Sequence, residues 1–204
     1  MHRILFVCHG NICRSPMAEF VMKDLVKKAG LEGEFTIASA ATSTEEIGCP
    51  VYPPARRKLA EHGIGCPVYP PARRKLAEHG IGCAGHAARQ LTAADYGRWD
   101  YLIGMDNANL RNMRRICGGD PEGKISLLLD WAGRPTGTPA KPGALLGRGG
   151  ARERARDARQ GVSRQSGLCD NEVADPWYTG DFDATWRDVL AGCSGLLSHI
   201  SSEP

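Results

Sequence analysis

The chain has 204 residues, 42% of them hydrophobic, and a formal net charge of +3. This suits one globular domain or two small ones, and the absence of any run of eighteen apolar residues excludes a membrane-spanning helix. The start, Met-His-Arg-Ile-Leu, has no signal-peptide pattern, so a cytoplasmic protein is expected, and its eight cysteines read as thiols rather than as a disulfide framework.

Residues 3–8 form the first predicted strand, and the spacing predicts a helix over 16–29, stopped by Gly30. A strand at 35–40 follows. IGCPVYPPARRKLAEHG then occurs twice without a difference, at 47–63 and 64–80. That period fits no common repeat architecture, and two copies are too few for a solenoid. Identity points to a recent duplication or an error in assembling the sequence, and the fold is expected to need only one copy. Each copy predicts a short helix after Pro53-Pro54 or Pro70-Pro71, ended by Gly63 or Gly80. A polar turn leads to a short helix from Thr92, a strand at 101–105, and a helix at 107–116 that Asp106 and Asn109 cap and Gly118-Gly119 end. A strand at 125–129 and a last helix over 181–200 complete the pattern.

Between these lies a segment, 133–168, with eight glycines, three prolines and no aromatic residue, the composition of a flexible, solvated insertion. It holds eight basic and two acidic residues, so it carries +6 and the remainder −3. The positive balance belongs to this segment. It offers no aromatic to stack on bases, and no nucleic-acid partner is expected. Without one repeat copy and this segment, about 150 residues remain, the size of one α/β domain. Short apolar runs separated by helices predict a single domain with a central parallel sheet of about four strands, helices on both faces. Ligands in such folds bind at the carboxyl ends of strands, where Cys8 stands.

CHGNICRSP, residues 8–16, has the chemistry of a phosphate cradle. The peptide N–H groups of His9, Gly10, Asn11, Ile12, Cys13 and Arg14 can wrap a small anion if the loop curls, with Gly10 expected to take backbone angles other residues resist. Ser15 is expected as N-cap and Pro16 as the first helical residue, pointing the positive end of the helix into the loop. Arg14 adds a planar fork for two phosphate oxygens. These groups favour the Cys8 thiolate, a nucleophile beneath the bound phosphorus. The spacing Cys-x5-Arg alone is weak, because about one chance match is expected from this composition. A second match, Cys83 to Arg89, lacks the preceding strand and the Ser-Pro helix start.

CHGNICRSPMAEF resembles the phosphate loop of the low-molecular-weight protein tyrosine phosphatases, and SAATSTEEIG (39–48), HAARQ (86–90), YLIGMDNANL (101–110) and ADPWYTGDF (174–182) extend the resemblance in order. The resemblance implies a phosphotyrosine phosphatase working through a phosphocysteine, without metal or other cofactor. Cys8 would be the nucleophile, Arg14 the phosphate clamp and Asp175 the general acid and later base. Ser15 would hydrogen-bond the thiolate, Asn11 would brace the loop and His86 support it. Trp177 and Tyr178 would line the cleft, Ile12 and Glu45 would tune substrate preference, and Cys13 would form a reversible disulfide with Cys8. The substrate would be a phosphotyrosine protein, with a bacterial-type tyrosine kinase as one candidate.

Other readings stand beside these. His86 could be a structural histidine, and Trp177 and Tyr178 core aromatics. The alternation of Cys49, His62, Cys66, His79, Cys83 and His86 suggests zinc, but no Cys-x2-Cys pair exists and the duplication explains it. A protein-arginine phosphatase would carry a smaller polar residue at Ile12. A thiol-coupled arsenate reductase would need closely spaced relay cysteines. If the insertion before Asp175 displaced that residue, a phosphate-binding protein without turnover would remain.

Overall fold

Strand β1 (His2–Cys8) is buried on both faces from Ile4 onward. Alternation sends Ile4, Phe6 and Cys8 into one core and Leu5 and Val7 into another. A strand with two apolar faces must lie inside a sheet covered on both sides, and in this computed structural model it does. The residues described are 1–65, 86–133 and 171–202. Most of the second repeat copy, with its expected helix, and nearly all of the Gly/Pro/Arg-rich insertion lie outside them.

Four parallel strands run in the order β2-β1-β3-β4, with β2 at Phe35–Ala41, β3 at Tyr101–Gly104 and β4 at Ile125–Leu127. Helix α1 (Arg14–Lys28) crosses from β1 to β2, and Gly30 at φ 72° closes its C-terminal turn. Helix α1 shares its core with α2 (Pro53–Glu61) and the long C-terminal α6 (Phe182–Ser202). The other face holds α3 (Ala93–Arg98) and α4 (Asn107–Cys117). A four-residue helix, α5 (Pro176–Thr179), precedes α6.

The predicted elements appear in their predicted order, with shifted ends. Strand β4 stops at Leu127, because Leu128–Asp130 tighten into a 3-10 turn against α6. Two glycines of α6 permit that contact: a Cβ on Gly195 would lie 2.0 Å from the Trp131 carbonyl oxygen, and one on Gly192 2.5 Å from Leu128 Cγ.

The first repeat copy is built into the core. Val51, Ala55 and Leu59 are buried there, with Ile64 just beyond the copy, and Tyr52 N–H donates to the Ile12 carbonyl at 2.8 Å. Gly48 and Ala88 are tied by backbone hydrogen bonds, Gly48 N–H to the Ala88 carbonyl at 2.8 Å and Ala88 N–H to the Cys49 carbonyl at 2.9 Å. The segment after the repeat therefore returns beside the start of its first copy. Among the described residues, no helix is long and apolar enough to cross a membrane.

Candidate active site

β1 has neighbours reached by crossovers in opposite directions, β2 on one side and β3 on the other. The carboxyl ends of β1 and β3 therefore flank the crevice where such sheets bind ligands. Cys8 ends β1, and Met105-Asp106 follow β3. A cleft of about 280 Å³ opens there, lined by Cys8, His9, Gly10, Ile12, Cys13, Arg14, Glu45, Glu46, Asp175, Trp177 and Tyr178.

The loop after Cys8 is held from inside by Asn11. This side chain is fully buried, and its backbone takes φ 57°, the left-handed region that asparagine tolerates better than most residues. Its Oδ1 accepts from Arg89 N–H at 3.2 Å, which fixes the amide's orientation. Its Nδ2 then donates to Ser15 Oγ at 2.9 Å and to Ser39 Oγ at 2.8 Å. Each hydroxyl, having accepted, directs its own hydrogen onward. Ser39 donates to Glu19 Oε2 at 2.5 Å, and Ser15 faces the Cys8 sulfur at 3.1 Å. Asn11 N–H adds a second donor to that sulfur at 3.3 Å.

Two expectations for this loop fail. Gly10 does not take the left-handed angles; Asn11 does. Gly10 leaves room for Glu46, since a Cβ there would come 3.1 Å from Glu46 Cγ, tighter than ordinary contact. Ser15 is not the N-cap and Pro16 not the first helical residue. The helix already begins at Arg14, with Cys13 as its uncapped N-terminal neighbour, so Ser15 is the second helical residue and turns its hydroxyl to Cys8.

His86 Nε2 donates to the Asn11 carbonyl at 2.9 Å, while Nδ1 lies 3.7 Å from Glu19 Oε2. The histidine thus links the loop to a buried carboxylate, which the sequence reading did not single out. Burial alone would raise Glu19, yet its contacts with His86, Lys23 and Ser39 outweigh that and hold its carboxyl below the ordinary range. Its signal was present: Ser15 and Glu19 are four apart and share one face of α1.

Arg14 is 5% exposed. Its Nη1 donates to Asp106 Oδ2 at 2.7 Å, and Nη2 lies 2.6 Å from Asp175 Oδ2. Burial disfavours its charge, but Cys8, Asp175 and Asp106 outweigh this and hold the guanidinium firmly protonated. Asp106 was expected only as a helix cap. It does cap α4, its Oδ1 accepting from Asn109 N–H at 2.6 Å, and its other oxygen holds Arg14.

Asp175 sits at the N-cap of α5 with extended backbone, as Pro176 requires, and its Oδ1 accepts from Trp177 N–H at 3.0 Å. The segment before it is anchored. Val173 N–H donates to the Met105 carbonyl at 2.9 Å, Ala174 N–H to Asp188 at 2.9 Å, and Asn107 Nδ2 to Glu172 at 2.8 Å. Asp175 therefore faces Arg14 despite the long insertion just before it.

Ile12 and Glu45 line the cleft, and Trp177 and Tyr178 form an exposed wall, Trp177 backed by Tyr52 at 5.7 Å between ring centroids. Cys13 shares the cleft as a free thiol, which burial, the Cys8 charge and Asp175 push up to about 12. Cys66, His79 and Cys83 of the suggested zinc alternation lie outside the described residues.

Comparison with known proteins agrees with this geometry. The sequence profile described as low molecular weight phosphotyrosine protein phosphatase matches residues 3–71 and again 65–138, the overlap falling within the second repeat copy. The low molecular weight protein-tyrosine-phosphatase YfkJ of Bacillus subtilis is 31% identical over 203 residues, covering 100% of this chain and 98% of that protein. The YfkJ crystal structure matches with a TM-score of 0.68 over 98% of this chain and 95% of that one, at 30% identity. The phosphatase of Schizosaccharomyces pombe is 37% identical over 131 residues, 64% of this chain and 72% of its own. The structure of SP-PTP, low molecular weight protein tyrosine phosphatase from Streptococcus pyogenes, is 29% identical with a TM-score of 0.63, over 97% of this chain and 92% of that one. The chain belongs to the low-molecular-weight phosphotyrosine protein phosphatase family.

Proposed function

We propose that the chain hydrolyses phosphotyrosine on proteins through a phosphocysteine. The observation that carries this is the convergence of Cys8, Arg14 and Asp175 on one cleft, with Arg14 touching Asp175 and two donors on the sulfur. Arg14 and the loop amides bind the phosphate oxygens. The Cys8 thiolate attacks phosphorus in line and the bond to the phenolic oxygen breaks. Asp175 gives that oxygen its proton, so tyrosine leaves as a neutral phenol. Asp175, now ionised, takes a proton from water. The hydroxide attacks phosphorus, the P–S bond breaks and phosphate departs, with Ser15 and Asn11 N–H stabilising the returning thiolate. Positive charge from Arg14 and the amides meets the charge that spreads over the phosphoryl oxygens.

Asn11 and His86 hold the loop in shape, Trp177 and Tyr178 flank the substrate ring, and Ile12 and Glu45, lining the cleft, tune substrate preference. Cys13 is the partner for a reversible disulfide that shields Cys8 from deeper oxidation. We place the enzyme in the cytoplasm, where its thiols stay reduced, with a bacterial-type tyrosine kinase among its phosphoprotein substrates. The chain acts as one domain that tolerates the extra repeat copy and the insertion, since long insertions cost little closure entropy.

Hydrolysis of p-nitrophenyl phosphate at mildly acidic pH tests this with the full chain, Cys8→Ser and Asp175→Ala. Turnover that Cys8→Ser abolishes and Asp175→Ala weakens supports the phosphatase. Full-chain inactivity, with activity restored by deleting 64–80 and 133–168, would indicate an enzyme disabled by its insertions. Silence from both folded proteins would overturn the site assignment.

A further inference from the structure

The outer cleft has a charge pattern unlike its base. At the base, Arg14 is balanced by Asp106 and Asp175. The cleft is also lined by His9, Glu45 and Glu46 and by the exposed rings of Trp177 and Tyr178. Among the described residues lining the cleft, Arg14 is the only lysine or arginine.

Glu45 is positioned from two directions. Its carboxylate Oε2 lies 3.1 Å from His9 Nε2, and its backbone N–H donates to Ser43 Oγ at 3.2 Å. The pair stays open to solvent, with side chains 61% and 72% exposed for His9 and Glu45. Glu46 is used differently. Its stem lies against Gly10, and its carboxyl group raises the Cys49 thiol. Glu45 is thus the carboxylate presented to whatever enters beside the substrate ring.

We infer that Glu45, steadied by His9, selects phosphotyrosine sites with a lysine or arginine next to the phosphotyrosine. This rests on the phosphatase reading above and names its substrate class. With the phosphate on Arg14 and the phenyl ring against Trp177, the neighbouring peptide residues must cross the mouth. A cation there meets a carboxylate and aromatic rings lining the same cleft, and both attract it. An acidic neighbour meets like charge instead.

The test uses the full chain and phosphotyrosine peptides that differ only in carrying Lys or Glu on both sides of the phosphotyrosine. The kcat/KM ratio of the two peptides is the readout, because a general loss of activity cancels within each variant. The expected ratio is about tenfold in favour of Lys at low salt, from one exposed ion pair and one cation–π contact. It shrinks in about 0.5 M NaCl by screening. Glu45→Gln is expected to lower the ratio about threefold and Glu45→Lys to reverse it. A ratio near one, or a ratio unmoved by both Glu45 variants, in a chain that hydrolyses p-nitrophenyl phosphate overturns the inference and leaves the phosphatase reading standing. A chain that hydrolyses no aryl phosphate overturns both.

Discussion

Arg14 bridges Asp106 and Asp175, at 2.7 Å through Nη1 and 2.6 Å through Nη2. A phosphate that takes both prongs of the guanidinium must compete with Asp175 for one of them. On the proposed mechanism, Asp175 released from Arg14 would be free to give its proton to the leaving group. One bond thus relates binding to acid catalysis.

Asp175→Ala should accordingly cost more for poor leaving groups than for good ones. For phenyl phosphate the expected fall in kcat is about 10²–10⁴-fold, the usual worth of a positioned acid. For p-nitrophenyl phosphate it should be smaller, because nitrophenolate leaves without help. Steady-state kinetics on both esters checks this, and equal losses would remove Asp175 from the acid role.

Asn11→Ala removes the source of the directed hydrogen-bond chain and puts alanine at φ 57°. It leaves Arg89 N–H, Ser15 and Ser39 each short of a partner. The expected destabilisation is about 2–4 kcal/mol, from unsatisfied buried groups and backbone strain. Urea unfolding measures it. A change below about 1 kcal/mol would mean the loop holds its shape without this residue.

Glu19 links stability to pH. Its carboxyl is held below the ordinary value of 4.5 in the folded chain. A depressed folded value means stability that is fully present above 4.5 and lost as the pH falls through the folded value. The difference in urea midpoint between the unmodified chain and Glu19→Gln should therefore be largest near neutral pH and should close in acid. A constant difference across the range would show that the Glu19 charge contributes nothing.

Deleting 47–63 or 64–80 produces one and the same sequence, so a single protein tests the repeat. Because the first copy places Val51, Ala55 and Leu59 in the core, the single-copy chain is expected to fold, with stability equal to or above that of the full chain. In that single-copy chain Leu59→Ala should cost about 2–5 kcal/mol. Failure of the single-copy chain to fold would make the second copy a structural element in its own right.

The sequence by itself determined what depends on local pattern. Continuous apolar runs between helical stretches specify a parallel sheet, because each run must be buried on two faces. The CHGNICRSP stretch after such a run specifies an anion cradle at a strand end. Cys8 and Arg14 were legible because they stand on one loop, and Asp175 through the family resemblance. Relationships across the chain were decided only by tertiary structure. Asp106 reaches Arg14 because β1 and β3 are neighbours, although 92 residues separate the two. Glu19 and Ser39 become one buried network because α1 packs against β2. The left-handed angle falls on Asn11 rather than Gly10, since only a side chain there can satisfy Arg89, Ser15 and Ser39 at once. Local composition states which groups are available; the packing of distant segments sets which of them meet, and a hydrogen bond forms only between groups that meet.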